Sequence, residues 1–324
     1  MTQEQKIHEQ EQYGLRPEAE KFPMMVVMSY VYLCNAHCPN CPYNNSDIRS
    51  QYKDALYMSD EIFKRIADEC GPHGSLLRLS GGGEPMLHPQ AVEHILYAKE
   101  KGCRVGLITN GSKLSEEQLR AIIEGNIDAI EFSVDAGDAE TYAKVRGLDW
   151  DNLNKTVAAA RRIRDELKSE TRIVCSIINQ EGVDVDKAEA HWTPLVDKVQ
   201  VRKYLTWGYN EDHSADSTPY LPPEKRLPCP WLFERLNIDS RGSVTLCGED
   251  IAFAEAFANI LDNSIEEIWT GAHFEALREK HINHHGDEIK ICSTCPDWQF
   301  RSWQYNYWKV LNDAESTKQQ RRKA

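Results

Sequence analysis

Short apolar, β-branched runs alternate with amphipathic stretches from residue 24 onward. Met25 to Leu33, Leu76 to Ser80, Arg104 to Thr109, Ala129 to Val134, Arg172 to Ile178 and Lys198 to Tyr204 read as strands. Between them Ser59 to Cys70, Pro89 to Lys101, Ser115 to Gly125, Ala139 to Val145 and Leu153 to Lys168 place apolar residues at helical spacing. Strand and helix in strict alternation predict a parallel sheet with right-handed crossovers. Six such units curve into a partial (β/α)6 barrel of the TIM type, an α/β fold whose functional groups belong at the C-terminal ends of the strands.

The texture changes after Tyr209, where Asp, Ser and Pro accumulate up to Pro222-Pro223 and Pro228-Cys229-Pro230. A domain boundary is expected there. The chain then divides into a polar lead-in or strap over 1–23, a barrel over 24–220, a small domain over 221–310 and a polar tail over 311–324. In the small domain Arg235 to Thr245 reads as a hairpin turning at Asp239-Ser240-Arg241-Gly242, and Ile265 to Lys280 as one helix. No internal repeat is present.

A formal net charge of −13 disfavours nucleic acid as a partner, because phosphate neutralisation needs clustered Lys and Arg. The basic run Lys318 to Lys323 reads as a solvated tail. No stretch resembles a membrane span or a signal peptide, so a cytoplasmic location is expected. There ten cysteines read as metal ligands or free thiols rather than disulfides.

Cys34, Cys38 and Cys41 form a C-x3-C-x2-C triplet directly after the first strand. Three thiolates on one short loop hold three corners of a 4Fe-4S cube and leave the fourth iron open for chemistry. The competing reading is a zinc site completed by His37. Ser80-Gly81-Gly82-Gly83-Glu84-Pro85 ends the second strand, either as a plain turn or as a close-approach surface for a ligand; the Lys-Ser/Thr ending of a P-loop is missing. A second constellation, Cys229, Cys247, Cys292 and Cys295, suits either a zinc ribbon or a second 4Fe-4S cluster.

Cys70, Cys103 and Cys175 read as small buried hydrophobes, with a sharper possibility at Cys175: a thiol facing the barrel lumen can return a hydrogen atom to a substrate radical. His281, His284 and His285 read as a solvated helix end. The aromatic segment from Trp298 through Trp308 reads as a seal on the barrel, with a sugar-stacking platform as the alternative.

In order along the chain, these motifs resemble the radical S-adenosylmethionine (SAM) superfamily. The resemblance implies a 4Fe-4S cluster on Cys34, Cys38 and Cys41 whose free iron chelates SAM, and reductive cleavage to a 5'-deoxyadenosyl radical. It places Gly82, Gly83 and Glu84 at the methionyl end of SAM, Ser133 and Arg146 at its carboxylate, Asn110 near the ribose and Tyr43 against the adenine. Residues 229 to 297 resemble the SPASM extension of that superfamily, with four cysteines where a full SPASM domain has seven, which is the shortened twitch form. Cys229, Cys247, Cys292 and Cys295 are then ligands of an auxiliary 4Fe-4S cluster.

The expected activity is hydrogen abstraction from a small polar substrate of the sugar or aminocyclitol type, ending in a two-electron oxidation. A flavodoxin or ferredoxin-type reductant is implied. Peptide or protein side-chain modification, radical epimerisation through Cys175 and a non-enzymatic zinc-binding module are the alternatives.

Overall fold

The computed structural model describes residues 19–44, 46–207, 213–215 and 228–298. The loop containing Tyr209, Pro222 and Pro223, the aromatic run beyond Trp298, the basic tail and most of the lead-in lie outside them. Among the described residues there are nine strands: β1 (Met25–Ser29), β2 (Leu76–Ser80), β3 (Arg104–Thr109), β4 (Ala129–Ser133), β5 (Arg172–Asn179), β6 (Lys198–Lys203), β7 (Arg235–Asp239), β8 (Ser243–Thr245) and β9 (Ala258–Asn259).

They form one sheet in the order β6-β5-β4-β3-β2-β1-β7-β8-β9. The first six strands are parallel and curve without closing, as the alternation predicts. The sheet does not stop at the expected domain boundary, because β7 pairs in parallel with β1 and carries the antiparallel β8 and β9 with it.

The two faces of the sheet separate by residue parity. Val26, Met28, Leu77, Leu79, Leu107, Ile130, Phe132, Ile173, Ile177, Leu236 and Ile238 join the helices in one apolar core. Met25, Val27, Leu76, Ala129 and Trp231 form a smaller plug at the bottom of the lumen. Between plug and rim the lumen is polar. There Arg202 Nη2 donates to both oxygens of the buried Glu131 at 2.8 Å and to Gln200 at 3.2 Å.

Helix starts follow the capping residues. Ser59, Ser115, Asp138, Asp149 and Asp184 each accept a backbone N–H from the first turn of the helix that follows. Three of the differences from the sequence expectation have a plain physical reason. The first strand ends at Ser29 instead of Leu33, since Tyr30 and Tyr32 pair instead with the 56–58 segment (Met58 N to Tyr30 O, 3.1 Å; Tyr32 N to Leu56 O, 2.8 Å). The helix expected over Ile265 to Lys280 is two, Ile265–Trp269 and Ala272–Ile282, interrupted at Gly271, where a Cβ would stand 2.7 Å from the Glu267 carbonyl. The helix Val185–Trp192, with only Ala188 and Trp192 buried, carries too few apolar positions to be read from its pattern. At the bottom of the barrel, the described end of the lead-in, residues 19–23, packs on the fold: Trp269 Nε1 donates to Ala19 O at 2.7 Å and Phe22 stacks on His73 at 3.9 Å.

A buried polar knot clamps the helix Asp60–Cys70 to the helix Ala91–Glu100. The Tyr30 hydroxyl donates to His94 Nδ1 at 2.6 Å, His94 Nε2–H faces Asp60 at 3.3 Å, and Phe63 stacks on the imidazole at 4.2 Å. Burial, reinforced by His88, pushes the His94 pKa down to about 4 despite Asp60. The unfolded chain, with an ordinary imidazole near pH ~6.5, therefore binds a proton that the folded chain refuses between those two values. Stability contributed by neutral His94 is complete above pH ~6.5 and is lost as pH falls toward 4. Urea titrations across this window should show a steeper pH slope for the wild type than for His94→Gln, by up to about 1.4 kcal/mol per pH unit. Equal slopes would contradict the assignment.

Candidate functional site

Three loops meet over the C-terminal ends of β1 to β5 and enclose a cavity of about 420 Å³. Cys34, Cys38 and Cys41 line it from the loop after β1, Gly81 to Glu84 from the loop after β2, and Asn110, Ser133, Asp135, Arg146 and Gln180 from the ends of the next strands and the helix Ala139–Arg146. The residues singled out in sequence around the triplet are thus brought to one place, Tyr43 included.

The glycines are required by the protein itself. A Cβ on Gly82 would stand 2.3 Å from the Val31 carbonyl oxygen, and one on Gly83 would stand 2.1 Å from that of Leu33. Gly82 also adopts a left-handed φ of 71°. Glu84 N donates to Leu33 O at 2.9 Å, so the glycine loop lies directly on the chain that leads into the cysteines.

Further ties fix the cysteine loop from every side. His37 N donates to Arg146 O at 3.1 Å, Asn40 Nδ2 to Gln180 at 3.0 Å, Asn35 Nδ2 to Ser112 at 2.8 Å and Asn110 Nδ2 to Asn35 at 3.1 Å. The Tyr43 ring is edge-on to Tyr32, and its hydroxyl is held at Ser29 and the Gly82 backbone; burial pushes its pKa up to about 12.

Glu84 is the buried anion of the site. Its carboxylate accepts from Thr109 Oγ1 at 2.6 Å, Asn110 N at 2.7 Å and Met86 N at 3.0 Å, while burial raises its pKa. Three of roughly four lone-pair positions are therefore filled from within. Arg146 pairs with Asp135, and its Nη1 approaches Cys38 Sγ at 3.7 Å. Asp135 holds a left-handed φ of 45° and accepts from Ile178 N at 2.7 Å, which locks the guanidinium in place. The Arg146 Nε is buried with no hydrogen-bond partner.

These features fit an iron-sulfur cluster. Three reduced thiols share one cavity wall beside a fixed cation, and burial raises the pKa of Cys34 and pushes that of Cys41 up to about 11. Thiols of that kind become ligands when a metal displaces their protons.

Cys229, Cys247, Cys292 and Cys295 likewise surround a second, smaller void of about 20 Å³. Glu249 N donates to Cys247 Sγ at 3.3 Å, and burial pushes Cys295 up to about 12. His281 belongs here and not to a solvated helix end. It is buried against this void, where Cys229 N donates to its Nδ1 at 3.2 Å, whereas His284 and His285 are exposed. Among the described residues, the two voids share one wall residue, Trp231.

Cys175 must be corrected. It pairs with Phe132 across β4 and β5, and its side chain joins the helix-side core with Phe132, Ile173 and Ile177. Strand parity gives the lumen to Ser176 and Ile178, so the Cys175 thiol has no path to a substrate radical. Among the described residues, no other thiol than those of the N-terminal triplet lines the main cavity. Sequence reasoning missed Arg78 and Asn237, which line the cavity, and gave Trp231 no role. Arg78 was visible as a lone cation in the apolar run Leu-Leu-Arg-Leu-Ser.

Residues 28–183 match the radical SAM superfamily, and residues 229–296 match SPASM, an iron-sulfur cluster-binding domain. PqqA peptide cyclase of Granulibacter bethesdensis is 29% identical over 77% of this chain and 74% of that protein. Fe-coproporphyrin III synthase of Methanosarcina barkeri is 32% identical, but over 38% of this chain and 30% of that protein. Among solved structures, BtrN in complex with AdoMet and 2-DOIA superposes with a TM-score of 0.57 at 17% identity, covering 85% of this chain and 94% of that one. Streptococcus suis SuiB bound to precursor peptide SuiA gives 0.66 at 12% identity, covering 86% and 71%.

The contact between Gly83 and Leu33 is testable without any ligand. Gly83 needs no left-handed φ, so Gly83→Ala reads the backbone collision alone. Its cost should lie near about 3 kcal/mol, the upper end of the range for overpacking. Thermal unfolding of the metal-free protein should show a Tm several degrees lower, and an unchanged Tm would refute the contact.

Proposed function

We propose that this chain, which belongs to the radical SAM superfamily and carries a SPASM iron-sulfur domain, oxidises a polar substrate held in the barrel lumen. Its cofactors are SAM, a 4Fe-4S cluster and auxiliary iron-sulfur. When bound, they supply a 5'-deoxyadenosyl radical that takes a hydrogen atom from carbon, and an acceptor for the electron that the substrate radical sheds together with a proton.

The residues of the chain do the positioning. Cys34, Cys38 and Cys41 are the ligands of the first cluster, and Cys229, Cys247, Cys292 and Cys295 those of the auxiliary one. Gly82, Gly83 and Glu84 offer SAM a fixed loop edge. Ser133 and the Arg146 guanidinium receive its carboxylate, the latter through a planar fork suited to that geometry. Asn110 lies toward the ribose and Tyr43 toward the adenine.

One observation carries the oxidative reading: Trp231 lines both the main cavity and the void among the four C-terminal thiols. The Trp231 side chain stands between the space for substrate and the space for an electron acceptor. The position of Cys175 removes the hydrogen donor on which an epimerase reading rested.

The favoured substrate is a small polar metabolite, because the cavity must admit SAM as well as the reacting group. Peptide modification is the second reading, favoured by the likeness to PqqA peptide cyclase across 77% of the chain. Anaerobic turnover with dithionite and SAM separates them, by showing whether polyols and amino sugars or short peptides raise the yield of 5'-deoxyadenosine.

Reconstituted protein should hold about eight iron atoms per chain, and replacing Cys34, Cys38 and Cys41 with Ala should leave about four and abolish SAM cleavage. Replacing Cys229 and Cys295 with Ala should also leave about four iron atoms but preserve SAM cleavage while stopping product formation. Retained SAM cleavage in the N-terminal triple variant would end the proposal.

A further inference from the structure

The main cavity does not reach the same depth all round. On the β4 to β6 side its lining stops at Ser133, Ile178 and Tyr204, above the Glu131–Arg202 pair that fills the lumen below. On the β7-β1-β2 side it descends to Asn237, Val27 and Arg78, resting on the apolar plug. These three residues are register partners, Val27 being opposite Arg78 on one edge and Asn237 on the other. They therefore stand in one row on one face, with the Cα atoms of Arg78 and Asn237 about 10 Å apart by the spacing of strands.

The short Val27 side chain leaves a gap between a guanidinium and an amide. Asn237 is buried, and its Nδ2 has no hydrogen-bond partner. A buried amide donor without a partner costs stability unless something meets it. Trp231 packs with Val27 in the plug, and the Arg235 guanidinium lies over its ring at 4.5 Å.

The geometry points to an oxyanion subsite at the lumen floor, in which Arg78 and Asn237 grip a carboxylate or phosphate on the substrate over Val27. This deepens the proposed function and rests on it: the substrate is an anionic polar molecule, anchored by its charged end beside Trp231 with its reacting carbon raised toward the glycine loop. Arg78 supplies charge and a fork, and Asn237 a directed N–H, so a neutral group of the same size gains neither. Both are positioning residues.

Three molecules of one skeleton test the site: glycerol, D-glycerate and glycerol 3-phosphate, titrated calorimetrically into reconstituted, SAM-loaded wild-type protein. At least one anion should bind while glycerol does not, and which anion binds tells carboxylate from phosphate. Arg78→Met should weaken that binding by at least about tenfold, as expected for loss of a charged hydrogen bond. The near-isosteric Asn237→Asp, which sets a like charge against the ligand, should abolish it while the Tm stays within a few degrees. Glycerol binding as tightly as the anions, neither anion binding, or an anion affinity unmoved by both substitutions would overturn the subsite. Substrate-free SAM cleavage by the wild type is a separate assay of the underlying reading, so loss of that activity and loss of anion binding are distinguishable failures.

Discussion

The pairing of β1 with β7 is the constraint on which everything else depends. β1 is a five-residue strand, Met25–Ser29, bonded in parallel along both edges, to β2 on one side and β7 on the other. Its C-terminal end launches the first cysteine loop, and the C-terminal end of β7 launches the hairpin that delivers Cys247. One strand thus fixes the distance between two sets of thiols that lie far apart in sequence. Because its hydrogen bonds are buried between neighbours, slippage by one residue would turn Val27 into the helix layer and Val26 into the lumen.

The rim of the barrel is organised by backbone as much as by side chains. The carbonyls of Val31 and Leu33 receive the glycine loop at distances that no Cβ tolerates, and the Glu84 carboxylate ties that loop to β3. The Asp135–Arg146 pair then joins β4 to the far side of the cysteine loop. The ring of contacts is made of the chain's own atoms, and it sets the three thiols along one cavity wall.

Much of this was legible in the sequence, for identifiable reasons. The alternation of strand and helix located most of the barrel elements closely, since that signal is local; the helix Val185–Trp192, with two buried positions, escaped it. The C-x3-C-x2-C triplet and the Gly-Gly-Gly-Glu turn marked the rim, because glycine is demanded there by close approach. What failed was non-local. Nothing in Arg235 to Thr245 announces that its first strand continues the barrel sheet, and nothing around Cys175 tells which face its side chain takes. His281 looked solvated because two exposed histidines follow it, and only the packing around Cys229 shows it buried. Arg78 and Asn237 became a pair only once β1 was seen between them.

The double pairing of β1 carries a consequence for how the chain is made. Synthesis proceeds from the N-terminus, and β7 emerges roughly two hundred residues after β1, a delay of roughly ten to forty seconds at ordinary elongation rates. For that interval the sequence Met-Val-Val-Met-Ser presents one unpaired, apolar edge, the kind of surface on which nascent chains stick to each other. Any fragment that stops short of residue 235 leaves that edge of β1 without its partner strand.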